Sequence, residues 1–163
     1  MISTNSKQEH PVAENILNRD FTTQQLGHKW VSDITYIKVA QQWNYLTVIL
    51  DLTDRKVVAW SLSKDMKVDN TTYKTWRKAV KNRPIKSNFI FHSDRRVQYA
   101  AEQFTTLFSF NRNATQSMSR KANCWDNAVI ESFFKSIKYE WIRRCKYQNF
   151  KQAYLSIQQY MVQ

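Results

Sequence analysis

KWVSDITYIKVAQQWNYLTVILDLTDRKVVAWSL, residues 29–62, decides the fold. KWVSDITYIKV has the β-branched and aromatic texture of a strand; WNYLTVILDL reads as a second strand and RKVVAWSL as a third. Only Ala40–Gln42 and Thr53–Arg55 lie between them, and connections that short imply antiparallel hairpins. The middle strand is apolar at nearly every position, which predicts a sheet covered on both faces. Asp33 breaks the texture of the first strand. An aspartate there is unfavourable for strand propensity and costly if its face is buried unpaired. Such a residue is either tied down structurally or functional.

Outward from this stretch, Asp69 is expected as an N-cap opening the helix NTTYKTWRKAVKN, with Tyr73, Trp76 and Val80 inward and Asn82–Arg83–Pro84 as its stop. NFIFHSD is a short fourth strand. Entered through a helical crossover, it is expected to run parallel to its neighbour. Ala101–Phe110 follows as a helix presenting Phe104, Leu107 and Phe108, then a short extended piece at Ala114–Met118. A basic loop at Ser119–Asn123 leads into NCWDNAVIESFFKSIKYEW, residues 123–141. There Ile130, Phe133, Phe134, Ile137 and Trp141 form one apolar stripe at helical pitch, while Asn127, Glu131, Lys135 and Lys138 share another face. The last helix, Phe150–Gln163, turns Phe150, Ala153, Tyr154, Ile157 and Met161 inward. The order β-β-β-α-β-α-β-α-α predicts an α/β domain over residues 28–163: a mixed five-stranded sheet, three antiparallel strands then parallel additions, flanked by helices. Residues 1–27, polar and closed by the one glycine, Gly27, read as a tail or linker.

Hydrophobic residues make up 42% and aromatic residues 14% of the 163, enough for a packed core. No apolar run approaches the roughly 18 residues that span a bilayer, and residues 1–15 lack the apolar segment of a secretory signal. A cytoplasmic, nucleoid-associated protein without a membrane partner is expected. Lysine and arginine outnumber aspartate and glutamate 25 to 13, for a net charge of +12, which favours a polyanionic partner, most simply nucleic acid. Two cysteines (Cys124, Cys145) and three scattered histidines make neither a disulfide framework nor a zinc site. Any metal would be held by oxygen, pointing to Mg²⁺ or Mn²⁺.

Three carboxylates then stand out: Asp33 at a strand centre, Asp94 at the C-terminal end of the fourth strand, where open sheets place ligand sites, and Glu131 on a helix that packs back on the sheet. If they converge, divalent cations with oxygen ligands would relieve their repulsion. Two such ions about 4 Å apart could drive an in-line phosphoryl displacement. The alternatives at this level are a solvated helix face with an ordinary Glu–Lys pair and a structurally bonded strand aspartate. His92 lies two residues before Asp94, as a partner behind it or a packed core histidine. Asp51 and Asp54 read as strand-end and turn acids, and Trp30, Trp43, Trp60 and Trp76 as core.

WVSDITYI at 30–37, DRKVVAW at 54–60, HSDRRVQYA at 92–100 and QSMSRKANCWDNAVIESFFKSIK at 116–138 resemble the catalytic core of bacterial insertion-sequence transposases made from two frames, orfA and orfB. That core belongs to the retroviral-integrase-like (rve) group with an RNase H-like fold. The resemblance implies a DDE triad of Asp33, Asp94 and Glu131 holding two Mg²⁺ or Mn²⁺ ions. It implies cleavage and strand transfer on DNA, and self-association when active. Ser119, Arg120, Lys121, Asn123, Asn127, Lys135 and Lys138 become candidate DNA contacts, with His92 behind the acids. Thirty-six residues lie between Asp94 and Glu131, one more than the family's usual spacing. Arg96 and Ala122 stand where the family generally has glycine; at a position needing positive φ, arginine would cost roughly 1 kcal/mol. The family's chains extend further at both ends. The rival expectations are therefore an inactive, truncated remnant that keeps the fold and binds DNA non-specifically, and a plain RNase H-type nuclease.

Overall fold

The computed structural model describes residues 28–110, 114–118 and 127–162, with Val97 and Phe110 described by backbone alone. The elements are β1 (Lys29–Val39), β2 (Gln42–Asp51), β3 (Val57–Ser63), α1 (Thr72–Asn82), β4 (Phe89–Ser93), α2 (Val97–Ala100), α3 (Glu102–Phe110), β5 (Ala114–Met118), α4 (Ala128–Glu140) and α5 (Phe150–Met161). The strands form one mixed sheet in the order β3-β2-β1-β4-β5. β2 is antiparallel to β1 and β3, while β4 runs parallel to β1 and β5 parallel to β4. This is the mixed five-stranded α/β sheet expected from the element order, and the RNase H-like arrangement that the family resemblance implies.

Pairing of Val39 with Gln42 leaves Ala40 and Gln41 as a two-residue turn, with φ of 48° and 67°. Two positive φ angles match the twist of the flanking strands, which is why Asn-Gly is preferred in such turns. Alanine and glutamine hold it at a cost of roughly 1 kcal/mol each. Tertiary contact helps to keep it: the Ala40 N–H donates to the Tyr147 carbonyl at 2.9 Å.

Alternation along the strands divides the core in two. One face buries Val31, Ile37, Val39, Leu46, Val48, Leu50 and Leu62 beneath Ile130, Phe134 and Ile137 of α4 and Ala153 and Ile157 of α5. The other buries Trp30, Ile34, Ile49, Ala59, Phe89 and Phe91 against Trp76 and Ala79 of α1, Tyr99 of α2 and Phe104 of α3. Trp76 anchors that second layer, with ring centroids 5.9 Å from Trp30 and 5.3 Å from Phe91 in edge contacts. Helix α5 starts on a side-chain cap: Asn149 Oδ1 accepts from the Gln152 N–H, and Gln152 Oε1 accepts from the N–H of Gln148, the residue before the cap, each at 2.9 Å.

Three local expectations are corrected. Asp69 is not the N-cap of α1. It sits in a 3₁₀ turn, Val68–Asn70, where it accepts from Gln103 Nε2, and Thr71 takes the cap position. The buried face of α1 is Thr72, Thr75, Trp76 and Ala79, with Tyr73 and Val80 half-buried at its margins. Trp43 is not core but 54% exposed, because it lies at the start of β2 where the sheet emerges from its covering helices.

Candidate active site

Strand parity sets the site. Asp33 alternates with Val31, so its side chain leaves β1 on the face covered by α4 and α5. Trp30 pairs with Phe91 on the opposite face, and Val31 pairs with His92 on the Asp33 side. Two residues further on, Asp94 leaves the end of β4 on that side too. β1 and β4 are hydrogen-bonded neighbours in the middle of the sheet, so the two acids, 61 positions apart in sequence, become adjacent.

Asp33 is only 9% exposed. Its Oδ1 accepts from the Ile34 N–H at 2.7 Å. Burial first, and then the Asp94 charge and a hydrogen bond to Asp94, push its carboxyl up to about 7 against the opposing pull of Arg96 and the Ile34 N–H. Arg96 occupies the same corner. Its Nε lies 3.1 Å from Asp94 Oδ2 and 3.9 Å from Asp33 Oδ1. Its NH1 donates to the Ile34 carbonyl at 2.8 Å, and its backbone N–H donates to Asp94 Oδ1 at 2.9 Å. Positive φ among non-glycine residues is found at Ala40, Gln41, Arg55 and Asn88 and not at Arg96. The expected backbone strain is therefore absent; arginine acts here through its guanidinium.

Below the pair, fully buried Tyr99 shares a 2.7 Å hydrogen bond with Ser32, whose Oγ donates to the Val48 carbonyl at 2.8 Å. Burial, followed by the charges of Asp33 and Asp94, holds the Tyr99 phenol well above its usual range, so it stays a neutral support for β1. His92 is buried and shares a 2.9 Å hydrogen bond through Nδ1 with Ser117 of β5, an across-strand contact two residues from Asp94.

Glu131 stands in the first turn of α4, half-buried, on the helix that covers the Asp33 face. Asn127, at the N-cap position, is buried but makes no side-chain cap bond. Lys135 is exposed. Lys138 reaches toward the acids: burial lowers its ammonium, and the Asp33 carboxylate partly offsets this. Ser119, Arg120, Lys121 and Asn123 lie outside the described residues. Asp51 and Asp54 are structural, as expected. Arg83 bonds Asp51 Oδ2 at 3.1 Å and Asp54 Oδ2 at 2.8 Å, and Trp30 Nε1 donates to Asp51 Oδ2 at 3.3 Å.

Sequence reading does not anticipate an aromatic and cationic strip along the β1–β2 hairpin. Tyr36 (51% exposed) meets Trp43 edge-on at 5.6 Å and Tyr45 at 6.4 Å. Lys38 Nζ lies 4.9 Å from the Trp43 ring centroid and Lys138 Nζ 5.9 Å from that of Tyr36. The sequence carried the signal: a two-residue turn at Ala40–Gln41 pairs Lys38 with Trp43 and Tyr36 with Tyr45.

The donor chemistry suits a hard divalent cation, since Asp33, Asp94 and Glu131 offer only oxygen. The placement suits it less. Among the described residues no three His, Cys, Asp or Glu side chains are gathered to hold a metal ion, and the cation at the acid pair is Arg96.

Fold, strand order and acid pair together define the integrase core class, and residues 23–124 match the integrase core domain family (rve). The chain belongs to that family. It is 40% identical over 136 residues to transposase InsF for insertion sequence IS3A of Escherichia coli (strain K12), covering 81% of this chain and 45% of the transposase. Over 159 residues it is 33% identical to the insertion element IS600 uncharacterized 31 kDa protein of Shigella sonnei, covering 98% and 58%. The chain thus spans about half the length of these curated relatives. Among solved structures, the simian T-cell lymphotropic virus intasome in complex with PP2A regulatory subunit B56 gamma superposes with a TM-score of 0.65 at 16% identity, over 83% of this chain and 45% of that one. The HTLV-2 integrase catalytic core domain in complex with magnesium superposes with 0.56 at 17%, over 70% and 69%. These likenesses bear out the fold and the resemblance read from the sequence motifs. No helix among the described residues is long and apolar enough to cross a membrane.

Proposed function

We propose that this chain is the DDE catalytic core of an insertion-sequence transposase, cutting and joining DNA strands with Asp33, Asp94 and Glu131 as its acid set. The observation that carries this is the meeting of Asp33 and Asp94 across β1 and β4, on the face that α4 covers with Glu131 in its first turn. Mg²⁺ or Mn²⁺, bound there as one or two ions, would supply neutralisation of the acids and polarisation of the attacking and leaving oxygens. Asp33 and Asp94 hold the ligand oxygens in place from adjacent strands. Lys138, Lys135 and the basic residues preceding α4 contact phosphates, and Tyr36 and Trp43 offer ring faces for bases at an unpaired strand end. A net charge of +12 around an acidic corner suits a polyanion whose reacting bond is brought to the carboxylates. The active unit is a homo-oligomer on DNA, in keeping with the self-association that the family resemblance implies.

A second reading, an inactive remnant that binds DNA, draws support from one observation: Arg96 sits on the acid pair. The test is Mn²⁺-dependent nicking and strand transfer on pre-cut element ends, by the natural chain and by Arg96→Gly, with Asp94→Asn and Glu131→Gln as controls. Activity lost in both controls supports the catalytic reading. Inactive chains that still bind DNA would leave the remnant, and activity confined to RNA–DNA hybrids would favour an RNase H-type nuclease.

A further inference from the structure

We propose that Arg96 is a built-in cation that closes the Asp33–Asp94 pair, so that a divalent metal binds only by displacing its guanidinium. This rests on the reading of the pair as a metal site.

Arg96 is held at three points on two strands. Its backbone N–H ties it to Asp94 Oδ1 at 2.9 Å, its Nε faces Asp94 Oδ2 at 3.1 Å and Asp33 Oδ1 at 3.9 Å, and its NH1 donates to the Ile34 carbonyl at 2.8 Å. The last contact separates this from an exposed ion pair, whose long side chains sample many positions. A guanidinium is planar, and anchoring NH1 to the main chain of β1 fixes the direction in which Nε points. The side chain is one-third exposed, lying partly inside the corner it fills.

The oxygens that face Nε, one from each aspartate, are those a hard cation would take first. Two like charges brought this close in a half-buried corner need a compensating cation. Here the protein supplies it from its own chain, as a tethered group at high but finite effective concentration. For a divalent ion to enter, Nε must leave both oxygens and NH1 must release the Ile34 carbonyl to water. Metal affinity is then the intrinsic affinity scaled by the fraction of molecules in which Arg96 has swung out. A corner closed nine-tenths of the time binds tenfold more weakly.

The experiment is Mn²⁺ titration by calorimetry of the natural chain, Arg96→Gly and Arg96→Gln, and of Arg96→Gln combined with Asp94→Asn. Thermal melting with and without Mn²⁺ gives a second readout. Glutamine keeps a donor for the Ile34 carbonyl, so one variant remains foldable if the glycine variant does not. The expected result is Mn²⁺ binding about tenfold or more tighter in both variants than in the natural chain, with the gain abolished by Asp94→Asn. Mn²⁺ should also raise the melting temperature of the variants by more than that of the natural chain. Equal Mn²⁺ affinity in the natural chain and both folded variants overturns the closure by Arg96 and leaves the acid pair as a metal site. No binding in any folded form overturns both, because removing the guanidinium would then open nothing.

Discussion

Asp33→Asn should make this protein more stable at pH 8 while changing little at pH 4. The Asp33 carboxyl sits at about 7 in the folded chain against an ordinary 3.8, because it is buried beside Asp94. Between those values the folded state keeps a proton that the unfolded state has released. Stability therefore falls as pH rises through this window and levels off above it. One pH unit of such a difference corresponds to about 1.4 kcal/mol, so the whole window represents about 4 kcal/mol at most. That is a large part of the roughly 5–15 kcal/mol by which a domain is stable. Asparagine has nearly the shape of the protonated acid and does not titrate. The advantage of the variant should accordingly grow from near zero at pH 4 to between about 2 and 4 kcal/mol at pH 8. Urea unfolding at both pH values measures it: with a slope of about 2 kcal/mol per molar, the variant's midpoint would lead by roughly 1–2 M at pH 8. Parallel curves for variant and natural chain from pH 4 to pH 8 would refute the raised carboxyl.

Other substitutions separate structural from functional groups. Replacing Ala40–Gln41 with Asn-Gly relieves two positive φ angles and should stabilise the fold by about 1 kcal/mol, read as a higher melting temperature. Arg83→Ala removes the guanidinium that ties Asp54 to the fully buried Asp51 and should destabilise by about 3 kcal/mol in urea unfolding. Trp43→Ala and Tyr36→Ala remove exposed rings and should leave melting almost unchanged. Each should weaken binding of single-stranded DNA by about fivefold or more in fluorescence anisotropy, and unchanged affinity would remove the strip from the DNA surface.

The residues that made the fold legible are those whose roles are local. Short turns, expected at Ala40–Gln42 and Thr53–Arg55, fix antiparallel pairing even though the first proves one residue shorter, and the stripe Ile130, Phe134, Ile137 fixes the buried side of α4, whatever the rest of the chain does. Asp33 was legible as an anomaly because a strand interior disfavours it. Trp43 was misplaced because alternation shows which face a side chain takes, but not how far the covering helices reach along the strand. Asp69 was misplaced because a cap is decided by one turn of backbone, and the chain inserts a 3₁₀ turn before α1.

Arg96 shows where local reading stops. Met in sequence, it raises a question of backbone φ, answered within one residue. Its role depends on Ile34 and Asp33, more than sixty positions earlier, and on β1 and β4 being neighbours. That adjacency comes from a crossover that places a late strand beside the first, so the partner of a charged side chain cannot be read from its surroundings in sequence. The same crossover brings Asp94 to Asp33, and so it creates both the acid pair and its compensation. A buried pair of carboxylates has three ways to lower its repulsion: a proton, a protein cation or a metal ion. This chain uses the first at Asp33 and the second at Arg96. On the proposal that this corner takes a divalent cation, the metal ion would compete with groups that the fold already holds in place, and the Arg96 side chain, more than the count of acids, would set how readily the corner opens.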